Sequence, residues 1–185
     1  MSLGVLLLAA GQSRRFGPRD KLLALLAGRP VVAHALDALA LPEADFRLAV
    51  VSADPVAAIA RKAGFDTLPV APGLPQADSL KAGLGWLRQR GITRLLVALG
   101  DMPWLQVADM RAILTRAGDR AACAASGDIP MPPAVFPDAM FGALALLSGD
   151  RGAGALLQEV PASQRLLLPA ERLRDIDTPG DLPQG

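Results

Sequence analysis

Three apolar runs of strand length dominate the chain: Leu3–Ala9, Phe46–Val51, which Arg47 interrupts, and residues 95–99. Runs without polar alternation belong to strands buried on both faces, and such strands occur almost only in parallel sheets covered by helices. Segments of helical period lie between them. Val31, Val32, Ala35, Leu36 and Leu39 fall on one helical face. Asp54 followed by Pro55 starts a helix that runs to Lys62, and Met110, Ile113, Leu114 and Ala117 make a further face. This alternation predicts βαβ units. Phe65 to Val70 reads as a short strand, residues 71–75 as a loop, and the next helix starts at a cap formed by Asp78 or Ser79.

Beyond Ala121 the alternation weakens. Pro130, Pro132 and Pro133 forbid a helix interior, so residues 128–133 are extended or looped. Helices are expected near 138–147 and 151–159, and a short strand at 165–168. With 185 residues and no repeat or linker, one domain spanning 1–185 is expected.

Charge and thiol content narrow the function. Nineteen Lys plus Arg against eighteen Asp plus Glu give a net charge of +1, so no electrostatic footprint for nucleic acid or an anionic membrane is expected. The single cysteine, Cys123, and single histidine, His34, exclude an internal disulfide and are too few for a Cys/His zinc site. His34 lies on the amphipathic face that begins at Val31 and reads as a partly buried helix histidine. The first residues lack the basic start of a signal peptide and no run is long enough to span a bilayer, so a cytoplasmic protein is expected.

Two strand ends carry the chemistry, because ligands of open parallel sheets sit outside the carboxyl ends of the strands. The first strand opens into Leu8-Ala9-Ala10-Gly11-Gln12-Ser13-Arg14-Arg15-Phe16-Gly17, followed by Lys21. Small residues there let N–H groups approach oxyanions, and Arg15 and Lys21 add the cations a polyphosphate needs. The loop matches neither the Walker pattern nor GxGxxG. The other end is Leu99-Gly100-Asp101-Met102-Pro103. Asp101 suits a Mg²⁺ ion shared with substrate phosphates, and equally an Asx-turn or the cap of a helix starting near Leu105. Gly100 is expected to leave room for a phosphate.

Together these segments resemble the LAAGxSxRxG…K signature and the metal-binding LGDMP box of the nucleotidyltransferase superfamily. Pro72-Gly73 followed by Ser79-Leu80-Lys81-Ala82-Gly83-Leu84 is similar to the family's base-pocket segment. Asp150-Arg151-Gly152-Ala153-Gly154-Ala155-Leu156-Leu157 and Asp175-Ile176-Asp177-Thr178-Pro179-Gly180-Asp181-Leu182 resemble the closing motifs of the molybdenum cofactor cytidylyltransferase branch of the MobA-like NTP transferases. Here Phe16 stands where the family pattern often has methionine, and three residues rather than two separate Gly17 from Lys21. Met131-Pro132-Pro133-Ala134-Val135-Phe136 replaces the family's Gly-His/Asn-Pro segment.

The resemblance implies a three-layer α/β/α Rossmann-like fold with a mostly parallel central sheet. Residues 1–120 would form its nucleotide-binding portion, and 121–185 the acceptor-binding portion and closing tail. It implies a Mg²⁺-dependent transfer of CMP from CTP to the terminal phosphate of a molybdopterin-type cofactor, which an apo-molybdoenzyme would then receive. Leu8, Ala9, Ala10 and Gly11 would lie against the nucleotide, with Ser79 near the base or ribose. Arg15 and Lys21 would hold the triphosphate, and Asp101 with Asp177 the metal. Asp175 competes with Asp177, since residues two apart in an extended segment face one side. A sugar or polyol phosphate acceptor, or a non-catalytic cofactor chaperone, are the alternatives.

Overall fold

The computed structural model describes residues 1–12, 15–17, 20–149 and 152–183. Ser13, Arg14, Asp150 and Arg151 of the sequence motifs lie outside them. The chain runs β1 (Leu3–Ala9), β2 (Leu25–Leu26), β3 (Arg29–Pro30), α1 (Val31–Ala38), β4 (Phe46–Val51), α2 (Asp54–Lys62), β5 (Asp66–Pro69), α3 (Gln76–Arg88) and β6 (Arg94–Leu99). It continues with α4 (Val107–Ala117), β7 (Ala122–Ser126), β8 (Ile129–Pro137), α5 (Phe141–Ala145), α6 (Gly154–Gln158), β9 (Arg165–Leu167) and α7 (Ala170–Leu173).

Seven strands form one sheet in the order β5-β4-β1-β6-β8-β7-β9, and β2 with β3 make a separate small hairpin. Within the large sheet β8 alone runs against its neighbours. The three-layer, mostly parallel fold expected from the sequence is therefore present. β1 lies between β4 and β6, each parallel to it. The chain order reverses there, which opens a crevice above the carboxyl ends of β1 and β6.

Period-two alternation divides the apolar runs between two cores. Val5, Leu7, Ala49, Val51, Leu96 and Ala98 face α1, α2 and α4. Leu6, Leu48, Val50, Leu95 and Val97 face α3, α5 and α6. The continuous apolar runs thus reflect burial on both faces. No helix among the described residues is long and apolar enough to cross a membrane.

Of the two readings open for the proline-rich segment, extended or looped, the extended one holds: residues 129–133 belong to β8. β7 and β8 pair around Gly127, and the register shifts between Cys123 and Ala124, so that Ala134 and Met131 are the consecutive partners on β8. Pro132 and Pro133 sit in this irregularity, where a missing N–H costs no ladder bond.

Helix α3 also departs from expectation. It begins at Gln76 with Pro75 as its N-cap, not at Asp78 or Ser79. The fixed φ of Pro75, −53°, admits the chain to the helix without a side-chain cap. Asp78 instead pairs with Lys81 one turn on, at 2.6 Å.

Gly83 lets α3 lie close against the sheet. A Cβ there would stand 2.5 Å from Leu6 Cδ1 and 3.0 Å from Val50 Cγ2. Gly83→Ala is therefore expected to destabilise the fold by about 1–2 kcal/mol, overpacking outweighing the ~1 kcal/mol helix-propensity gain. Gly85 on the same helix is exposed and has open space at its Cβ, so Gly85→Ala should stabilise instead. Urea unfolding of the two variants checks the pair; a stabilised Gly83→Ala would contradict the close packing.

Candidate active site

The carboxyl ends of β1 and β6 open into a cleft of about 350 Å³. Leu8, Ala9, Ala10 and Gly11 line it from β1 and the following loop, with Arg15 and Lys21 further along that loop. Asp101 enters from β6 and Ser79 from α3. Ser79 is only 3% exposed. The site residues expected from these two strand ends and from α3 thus share one cavity. A Cβ on Gly11 would meet nothing within 4 Å, so the backbone there faces open space.

Gly100 does something other than expected. A Cβ at that position would lie 3.3 Å from Ala9 Cβ and 3.4 Å from Leu22 Cδ2. Protein already fills that space, so Gly100 serves the close packing of β6 against β1 rather than the approach of a phosphate.

Asp101 is not a helix cap. Helix α4 is capped by Gln106 and Asp109, which exchange bonds with each other's backbone N–H. The Asp101 side chain turns to Lys21, whose Nζ donates to Asp101 Oδ2 at 2.7 Å and to Asp177 Oδ1 at 2.9 Å. Arg15 Nη1 donates to Asp177 Oδ2 at 3.0 Å. Asp20 Oδ1 accepts from Leu22 N at 2.9 Å and starts the short 3₁₀ turn (Lys21–Leu23) that presents Lys21. The additional residue between Gly17 and Lys21 has not moved the lysine out of the cleft.

Asp177 arrives from the tail. Ile176 is fully buried beside Phe16, Leu26 and Val31, and its N–H donates to the Asp101 carbonyl at 2.9 Å. The residues on either side of Ile176 consequently point the same way. Carboxylate oxygens of Asp101, Asp175 and Asp177 lie within 4.8 Å of one another. Both tail candidates therefore stand beside Asp101.

The electrostatics arise from this crowding. Burial by itself would lower the Lys21 pKa, but Asp101, and then Asp177, override it and hold the pKa above 10.5. The lysine contribution to stability is accordingly complete below pH 10.5 and is lost as pH rises through the higher folded value. Asp175 keeps solvent-exposed surface, yet the protein around its carboxyl withdraws it from bulk water enough to raise its pKa. The charges of Asp101 and Asp177 push it further in the same direction. The exposed Arg15–Asp177 pair, with Arg15 76% exposed, adds little stability.

Three carboxylates beside a single buried ammonium form an all-oxygen donor set suited to a hard divalent cation. The fit has a second sign: Asp101 Oδ1 is buried and has no hydrogen-bond partner among the described residues. A buried carboxylate oxygen normally finds one, and a cation would satisfy it. Asp101, Asp177 and Asp175 are the side chains that could hold a divalent metal.

Several cleft residues escape a sequence reading. Gln76 and Leu74 line the cavity beside Ser79. Placing the start of α3 at Pro75 would have revealed Gln76, which stands three residues before Ser79 and so shares its helical face. Gly73, at φ +83°, turns the loop toward Gln12, whose amide would collide with any Cβ there. His34 donates from Nε2 to the Leu26 carbonyl at 2.9 Å, tying α1 to the β2–β3 hairpin, which is a structural role.

The sequence matches the MobA-like NTP transferase domain over residues 5–166. A 2-C-methyl-D-erythritol 4-phosphate cytidylyltransferase of Dehalococcoides mccartyi is 36% identical over 108 residues, covering 58% of this chain and 44% of that protein. The chain spans less than half the length of the curated relatives it matches. The crystal structure of Rv0371c from Mycobacterium tuberculosis H37Rv superposes with a TM-score of 0.79 at 26% identity, covering 98% of this chain and 96% of that one. Its complex with manganese gives 0.77 at 25% identity and the same coverage. The domain match runs through both strand ends that build the cleft, and the chain belongs to the MobA-like NTP transferase family, and with it to the nucleotidyltransferases.

Proposed function

We propose that the chain transfers CMP from CTP to a phosphate-bearing acceptor with Mg²⁺ as cofactor, releasing pyrophosphate. The observation that carries this reading is the Lys21 ammonium bonded to Asp101 and Asp177 at the edge of the β1–β6 cleft. An oxygen of the acceptor phosphate forms a bond to the α-phosphorus as the bridging bond between the α- and β-phosphates breaks. The acceptor oxygen is already ionised near neutral pH, so no general base is required, in keeping with a histidine occupied elsewhere.

The residues of the chain then position groups and balance charge. Backbone N–H groups of Ala9, Ala10 and Gly11 lie against the nucleotide, and Ser79 meets the base or ribose. Arg15 and Lys21 hold the triphosphate. Asp101 and Asp177, with Asp175 beside them, would hold the cation. Mg²⁺ held there would supply positive charge that offsets the repulsion between these carboxylates and the phosphates. The acceptor approaches from the side formed by residues 121–185.

For the acceptor we favour a molybdopterin-type cofactor, on the likeness of residues 150–157 and 175–182 to the closing motifs of that branch; an apo-molybdoenzyme would take the product. The identity shared with a 2-C-methyl-D-erythritol 4-phosphate cytidylyltransferase supports a polyol phosphate as a second reading. Incubating the protein with CTP, Mg²⁺ and each acceptor, then weighing the products by mass spectrometry, separates the two. Pyrophosphate release with neither class of acceptor would remove both. Among the four NTPs at equal concentration, CTP is expected to give the highest initial rate. GTP in first place would overturn the cytidylyl assignment while sparing nucleotidyl transfer.

A further inference from the structure

The tail that delivers Asp177 is held by two successive backbone N–H groups. That of Ile176 donates to the Asp101 carbonyl at 2.9 Å. That of Asp177 donates to Asp181 Oδ2 at 3.0 Å, and the same oxygen accepts from Thr178 N at 2.6 Å and Thr178 Oγ1 at 2.9 Å. With both N–H groups bonded, the backbone at Asp177 is held where its side chain reaches Lys21 through Oδ1. We propose that Asp181 is a positioning residue that aims the Asp177 carboxylate at the cation site and thereby sets its metal affinity. This rests on the reading of Asp177 as a metal-holding residue.

Asp181 itself does not belong to the cluster of Asp101, Asp175 and Asp177. It acts through the peptide of Asp177, as partners behind metal ligands do, and removing such partners typically weakens metal binding about 10–100-fold. Around it, Arg174 stacks over Trp104 at 4.4 Å and donates to the Asp181 carbonyl at 2.9 Å, closing the turn from its other side.

The test is Mn²⁺ binding to the full chain, read from the free-ion electron paramagnetic resonance signal, with CTP affinity in the absence of metal measured alongside. Asp181→Ala is expected to raise the Mn²⁺ dissociation constant about tenfold and leave metal-free CTP affinity unchanged. Asp181→Asn removes the charge but keeps an acceptor oxygen, and should recover most of the Mn²⁺ affinity. Thr178→Val removes one bond to Asp181 but leaves the one from Asp177 N, and should bind Mn²⁺ like the wild type. Asp177→Asn, run in parallel, should weaken binding whether or not Asp181 positions it. If Asp181→Asn is as weak as Asp181→Ala, the effect is one of charge, and positioning is overturned. Equal weakening in Thr178→Val and Asp181→Ala assigns the effect to general loosening of the turn, and also overturns it. Wild-type affinity in Asp181→Ala alongside weakened Asp177→Asn rejects positioning alone. Wild-type affinity in Asp177→Asn rejects the metal reading together with the positioning built on it.

Discussion

Asp101→Asn is expected to abolish turnover while leaving the fold intact. Asparagine has the shape of aspartate, and the Asp101 backbone carbonyl would still accept from Ile176 N, so the tail remains docked. What changes is charge. Two unit charges about 4 Å apart interact by roughly 4 kcal/mol at an effective dielectric near 20, so a carboxylate beside a triphosphate repels strongly unless a cation lies between them. Asparagine removes the anionic oxygen that such a cation needs and takes the charge from one of the two carboxylates that Lys21 contacts, leaving Asp177 in place. We expect pyrophosphate release to fall at least about 100-fold, equivalent to ~2.7 kcal/mol on the barrier. The melting temperature should stay near that of the wild type. Full turnover by Asp101→Asn at millimolar Mg²⁺ would remove Asp101 from the mechanism.

Lys21→Ala should produce the other large effect, and on two readouts. The ammonium side chain is 11% exposed and contacts both Asp101 and Asp177. If it also receives the triphosphate, its loss should weaken CTP binding by about 1.5–3 kcal/mol, the worth of a charged hydrogen bond. Isothermal titration would register this as roughly 10–150-fold in the dissociation constant. The substitution also leaves three carboxylates facing one another without their buried counter-charge. The metal-free variant should therefore melt earlier than the wild type, and added Mg²⁺ should recover more stability in the variant. Unchanged CTP affinity would confine Lys21 to balancing the carboxylates.

The strand ends were legible because burial on both faces erases alternation. Runs such as Leu3–Ala9 are too apolar and too short for anything but an inner strand, and the residues just beyond each run must stand at the sheet's carboxyl edge. The two run ends place Lys21 and Asp101 near each other without fixing a distance. A string of residue types does not reveal what fills the space beside a glycine, so Gly100 reads as room for a phosphate where Ala9 and Leu22 stand. Proline proved ambiguous in two directions. Pro75 looks like a loop residue yet caps α3, and Pro132 with Pro133, which exclude a helix but leave strand and loop open, sit at a ladder irregularity in β8. The tail posed a different difficulty. Asp175 and Asp177 share a face, so local pattern cannot rank them, and only the burial of Ile176 shows that both turn toward Asp101. Asp181 was invisible for a similar reason, since its partner is a backbone N–H that no side-chain pattern announces.

The order in which the chain supplies the cluster separates its charges along the sequence. Lys21 follows β1, Asp101 follows β6, and Asp175 and Asp177 follow β9, the strand that pairs with β7 at the edge of the sheet. Lys21 and Asp101 by themselves are a neutral pair. The excess negative charge of the cluster comes wholly from the segment around Ile176, so the docking of that one buried side chain decides whether the end of β6 faces a neutral pair or an acidic group.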